Sequence, residues 1–100
     1  MGGLMAKMTD AEVSAAVAKL TGWSVQSGKL HREFRFSDFR HAIDFMVAAA
    51  PGIDKMNHHP EWANVYNRVT VNLTTHDAGG ITQKDFDLAA LLDGVAQKLL

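Results

Sequence analysis

Three imidazoles and two carboxylates crowd one part of this chain. His58 and His59 are adjacent and stand in front of Pro60, Asp54 precedes them, His76 closes the next alternating segment, and Asp85 follows it. Histidine, with an unperturbed pKa of about 6.5, gives or takes a proton near neutrality. Carboxylates beside it can orient the ring or balance its charge. The chemistry these residue types allow is therefore acid–base work on a small molecule. Each has a plainer reading as well. Neighbouring side chains of an extended chain point to opposite faces, so His58 and His59 share a pocket only if the loop bends; otherwise one is solvated and one is bonded to backbone. His76 alone reads as an exposed strand-end residue. It gains weight beside the other two, because a strand end next to a loop is where a rigid scaffold builds a site. Asp85 fits the third position of a capping box, Thr82-Gln83-Lys84-Asp85, a role compatible with a ligand contact. Asp54 by itself reads as a solvated loop carboxylate. Trp62 and Tyr66 offer flat faces to a heterocycle; core packing is the plainer reading, and the better one for Tyr66.

Metal binding is the competing chemistry, since three histidines and two aspartates can ligate zinc. The spacing matches neither a helical H-x-x-x-H pair nor a cysteine-bearing pattern. Glycine-rich nucleotide loops and the serine-hydrolase elbow are absent from the sequence. His31 and His41 read as surface residues.

The elements that must position these groups follow from periodicity. Thr9-Asp10-Ala11-Glu12 is a capping-box pattern, and Val13, Ala16, Val17 and Leu20 form a helical stripe that Gly22 stops. A first helix is expected over about 9 to 20. Alternation around Trp23 and Val25, turn residues Ser27-Gly28, then alternation through Leu30, Phe34 and Phe36 predict a β-hairpin. Arg32 falls on its apolar face, a misfit best housed at an edge with the head in water. Ser37 or Asp38 caps a second helix, which Pro51-Gly52 should end. Residues 53–62 then form a loop. Asn67 breaks the next alternation, so a Tyr66-Asn67 turn is expected to join a short strand near 62–65 to a longer one over 68–75. A third helix runs from the second capping box to about 98. Its apolar residues cover more than one stripe, which implies burial against the sheet and against another subunit; Gly94 would serve close helix approach. The order α-β-β-α-β-β-α predicts an α+β fold, a four-stranded antiparallel sheet with three helices packed on one face. Residues 1–8 read as a flexible N-terminal tail, with Met5 and Met8 as alternative starts, and residues 9–100 as a single domain.

Composition bounds the function. The chain has 100 residues, 47% hydrophobic and 21% charged, with a formal net charge of −1. That is an ordinary globular balance with no basic face for nucleic acid. There is no cysteine, hence no disulfide framework or thiolate chemistry, which suits a reducing cytoplasm. No apolar run approaches the roughly 20 residues that span a bilayer, and the N-terminus has no signal-peptide core.

The run His58-His59-Pro60-Glu61-Trp62 with Asn64-Val65-Tyr66, and the segment Leu73-Thr74-Thr75-His76-Asp77-Ala78-Gly79-Gly80, strongly resemble the pterin-4a-carbinolamine dehydratase family, also known as the dimerisation cofactor of a homeodomain transcription factor. The family pattern is carried by Asp54, His58-His59-Pro60, Tyr66, Thr75-His76 and Asp85, over roughly residues 9–98 in element order. One departure is Asp54, where glutamate is usual. The resemblance implies a cofactor-free lyase acting on 4a-hydroxytetrahydropterin. It implies His58, His59 and His76 as the acid–base set, with Asp54, Trp62 and Asp85 binding the pterin or orienting histidines. No metal or redox group is required. It further implies a homodimer or homotetramer built through sheet and helix contacts, and it leaves open a partner-stabilising role or a different pterin as substrate.

Overall fold

A computed structural model describes residues 6–100; expectations resting on Met1 to Met5 lie outside the described residues. Its elements are α1 (Asp10–Val17), β1 (Ser24–Gln26), β2 (Lys29–Arg35), α2 (Phe39–Met56), β3 (Glu61–Val65), β4 (Arg68–Leu73), a 3-10 turn (His76–Ala78) and α3 (Gln83–Gln97). The strands form one antiparallel sheet in the order β1-β2-β4-β3. The helices cover one face of it, as the element order predicts.

Alternation decides which face is covered. Leu30 and Phe34 of β2 and Val69, Val71 and Leu73 of β4 are buried beneath the helices. Glu33, Arg35, Thr70 and Ala63 point the other way, because residues two apart share a face. Phe34 sits at the centre, its ring centroid 4.9 Å from Phe45, 6.1 Å from Trp23 and 6.3 Å from Phe36. Phe45 is wholly buried; truncating such a ring to alanine costs about 3–5 kcal/mol.

Both hairpins turn where the sequence places turn residues. Ser27 and Gly28 have φ of 53° and 74°, the doubly left-handed geometry of a two-residue turn matched to strand twist. In the second turn Tyr66 has φ 49°, and Asn67 donates from its side chain to the Phe36 carbonyl. Tyr66 is 65% exposed, so the expectation of a core tyrosine is wrong: its place in the turn carries it away from both layers.

Four further expectations are corrected. Helix α1 ends at Val17, and the chain reaches Gly22 (φ 90°) through tighter turns in which Lys19 and Leu20 donate to the Ala16 and Val17 carbonyls. Helix α2 does not stop at Pro51-Gly52 but continues to Met56. Pro51 is exposed, and the carbonyl its missing N–H leaves unpaired belongs to Val47, itself 66% exposed, where water can replace the bond. Buried Ile53 holds the extra turn. Gly52 is used for close packing: a Cβ there would lie 2.7 Å from Leu91 Cδ1 of α3. The true stop is Asn57, left-handed at φ 52°, with its N–H on the Asp54 carbonyl. Arg32 lies on an inner strand and its head is not left to water. The guanidinium sits 4.3 Å over the Phe34 ring and bonds Asp93 at 2.8 Å, while Trp23 Nε1 donates to the same carboxylate at 2.9 Å. Gly94 meets nothing within 4 Å, so close helix approach does not explain it.

The chain is already tied down at Met8, whose N–H donates to the Ile81 carbonyl at 2.8 Å. Among the described residues no helix is long and apolar enough to cross a membrane.

Candidate active site

The extension of α2 changes where the candidate residues stand. Asp54 lies in the last turn of the helix rather than in a loop, and Asn57 reverses the chain directly before the histidines. Pro60 biases His59 towards an extended backbone, so the two rings diverge. His58 turns inward, with only 11% of its side chain exposed, and His59 turns outward at 59%.

His58 Nε2 lies 2.6 Å from Asp85 Oδ1. Asp85 is wholly buried at the start of α3 and has a complete set of partners. Its Oδ2 accepts from the Thr82 backbone N–H at 2.9 Å and from the Thr75 hydroxyl at 2.9 Å. The capping box thus forms as the sequence predicts, with the carboxylate at the positive end of the helix. The same carboxylate also serves the imidazole, one oxygen for each task. A buried carboxylate bound on one side by fixed donors can hold a histidine ring in one orientation.

His59 Nε2 pairs with Asp54 Oδ1 at 3.0 Å, with 81% of the Asp54 side chain exposed. A pair so solvated contributes little to stability, typically about 0–1 kcal/mol, and both groups are open to a ligand. His76 opens the 3-10 turn just past β4, its side chain fully exposed and 3.8 Å from Asp77 Oδ1. Trp62, half-buried on β3, packs edge-on against Phe45 with centroids 6.1 Å apart. The structure therefore joins His58 to Asp85 and His59 to Asp54. Among the described residues no hydrogen bond links these pairs to each other or to His76. A cavity of about 620 Å³ lies elsewhere, between α1, the β1–β2 turn and the segment around Gly79 and Gly80, and none of these imidazoles lines it.

Reading the sequence for charge missed two supports of the site. Thr75 and Thr82 are buried and their hydroxyl oxygens are 2.7 Å apart. The signal was present: Thr75 continues the inward parity of Val69, Val71 and Leu73, and a buried hydroxyl needs a partner.

The fold and the site together are a one-sided α+β domain in which a helix-capping carboxylate pairs with a shielded imidazole. The chain belongs to the pterin 4 alpha carbinolamine dehydratase family, whose model matches residues 6–95. A protein of Solibacter usitatus named provisionally as a pterin-4-alpha-carbinolamine dehydratase is 58% identical over 90 residues, covering 90% of this chain and 95% of that protein. One of the same provisional name from Rhodopseudomonas palustris is 45% identical over 98 residues, covering 96% and 97%. The crystal structure of a transcriptional coactivator/pterin dehydratase from Brucella melitensis superposes with a TM-score of 0.85 at 40% identity, covering 90% of this chain and 98% of that one.

Proposed function

We propose that this protein is a 4a-hydroxytetrahydrobiopterin dehydratase that serves tetrahydrobiopterin recycling. The observation that carries the reading is the His58–Asp85 pair, 2.6 Å apart and shielded, in a chain of this family. In the reaction the C4a–O bond breaks and the hydroxyl leaves as water after taking a proton. The N5–H proton passes to a base, and the N5 electrons form the C4a=N5 double bond of the quinonoid dihydropterin. Positioned histidines supply both transfers, each typically worth 10²–10⁴-fold. His58, His59 and His76 are the acid–base set; Asp54, Trp62 and Asp85 bind the pterin or orient the rings. The chemistry calls on no cofactor, and a Cys-free chain acting on a polar metabolite suits the cytoplasm.

The test is the decay of 4a-hydroxytetrahydropterin with and without protein. Acceleration by the wild type, abolished in a His58→Ala, His76→Ala double variant, supports the reading. No acceleration, or undiminished activity in the double variant, defeats it.

A homodimer or homotetramer belongs to the same proposal. Phe39 and Val47 of α2 are 50% and 66% exposed, two large apolar side chains that a second subunit would cover. These residues also suit a second reading, in which the domain stabilises a partner protein.

A further inference from the structure

We propose that Thr82 and Thr75 are positioning residues. A one-way chain of hydrogen bonds through their hydroxyls fixes Asp85 so that neutral His58 stands in its Nε2–H form, with Nδ1 as the working nitrogen. The inference rests on the dehydratase reading only where it names the substrate proton that Nδ1 meets.

The direction of every hydrogen follows from the donors available. Asp85 Oδ2 accepts the Thr82 backbone N–H and the Thr75 hydroxyl, each at 2.9 Å. A hydroxyl carries one hydrogen, and that of Thr75 is committed to the carboxylate. The 2.7 Å contact between the two hydroxyl oxygens therefore has Thr82 as donor and Thr75 as acceptor. Thr82 Oγ1 in turn accepts the Lys84 backbone N–H at 3.2 Å. The chain runs Lys84 N–H to Thr82, Thr82 to Thr75, Thr75 to Asp85. Each link polarises the next in a site closed to water, since Thr82 and Asp85 are 0% and Thr75 8% exposed.

The consequence falls on His58. The Asp85 carboxyl cannot rotate without orphaning the Thr75 hydroxyl and the Thr82 N–H, both buried. Its Oδ1 therefore stays aimed at His58 Nε2, 2.6 Å away. A carboxylate can only accept, so a neutral ring must place its hydrogen on Nε2. That leaves Nδ1 with the free electron pair, suited to take the N5 proton of the pterin. The capping box alone accounts for Thr82 and Asp85, but not for Thr75. At that buried position valine fills the same space, and only the hydroxyl completes the chain.

The test uses the full chain labelled with ¹⁵N-histidine. Two-bond ¹H–¹⁵N spectra, assigned against His58→Ala, read which ring nitrogen holds hydrogen. The wild type is expected to show His58 as a single Nε2–H tautomer with a slowly exchanging ring proton. Thr75→Val should give a mixture of tautomers and rapid exchange. It should also lower kcat about tenfold while KM stays within about twofold. Thr75→Ser should restore both readouts, and Thr82→Val should weaken them in the same sense. A wild-type ring in the Nδ1–H form overturns the proposal, even if no variant folds. So does a folded Thr75→Val that keeps the wild-type tautomer and protected proton. The spectra need no substrate: the expected spectra in a protein that does not dehydrate the pterin would uphold the positioning chain and sink the substrate assignment.

Discussion

Replacing Asp85 by asparagine separates the chemistry of the site from its architecture. The side chain keeps its shape but can present only one oxygen. Two orientations are open. With the oxygen at the Oδ2 place, the new amide still accepts from Thr75 and from the Thr82 N–H, and its NH₂ faces His58 Nε2. With the oxygen towards His58, the NH₂ meets the Thr82 N–H, donor against donor, in a site closed to solvent. That orphans buried groups at about 1–3 kcal/mol each, so the first orientation wins. His58 must then offer a lone pair on Nε2 and hold its hydrogen on Nδ1, the wrong nitrogen for accepting a proton. The stability cost is the exchange of charge-assisted hydrogen bonds for neutral ones, about 1–2 kcal/mol. Against a typical total of about 5–15 kcal/mol the variant stays folded, with Tm lower by about 5–10 °C for a domain of this size. On the proposed reading, in which His58 takes the N5 proton, losing that general base costs about 10²–10⁴-fold in rate, far more than unfolding at 25 °C would remove. The assays are pterin decay beside thermal melts of the same samples. Asp85→Asn with wild-type turnover, or with a rate loss no larger than its folded fraction explains, refutes the reasoning.

Two further outcomes concern the scaffold. Gly94→Ala should stabilise α3 by about 0.5–1 kcal/mol, read as a raised Tm, because an added Cβ meets nothing within 4 Å and glycine is the poorer helix former; a lower Tm would show that the position serves a contact. The His41 backbone N–H, and then the His41 side chain, hold the Asp38 carboxyl below its ordinary range. A lowered value means the charged form favours the fold above the ordinary carboxylate range, and that contribution is lost as pH falls through the folded-state value. Asp38→Ala should therefore melt lower than wild type near pH 7, with the gap closing below about pH 4; an equal gap at both ends would count against it.

Most of the scaffold is legible in the sequence, because each element carries its own local rule. Both capping boxes form as written. The alternation from Leu30 to Leu73 buries the predicted face, and the Ser27-Gly28 and Tyr66-Asn67 turns fall where expected. Two of the misreadings, the end of α2 and the place of Arg32, share one cause, tertiary packing overriding a local signal. Pro51-Gly52 reads as a stop only until α3 is placed beside α2; Gly52 then lets Leu91 approach, and Ile53 draws the chain onward as helix. Arg32 is a misfit in its strand until Asp93, far along the chain, arrives to meet it.

The candidate site divides along the same line. The residue types were readable, since histidines and carboxylates announce themselves, but their pairing was not. The positions of Asp54 and His59 follow from the overrun of α2, which no local signal marks. Asp85 looked like a helix cap and is one; what spacing cannot tell is that a cap has two oxygens and a shielded imidazole can claim the second. The segment from Thr75 to Asp85 brings these together because its bridge from Thr75 to Gly80 lets the end of β4 reach the first turn of α3. That short crossing turns two hydroxyls, each ordinary in sequence, into the supports of a carboxylate. A charge search ranks His76 beside His58, whereas the folded chain leaves the first open to water and shields the second. Rings in such unlike surroundings are not interchangeable as proton carriers, even in one reaction.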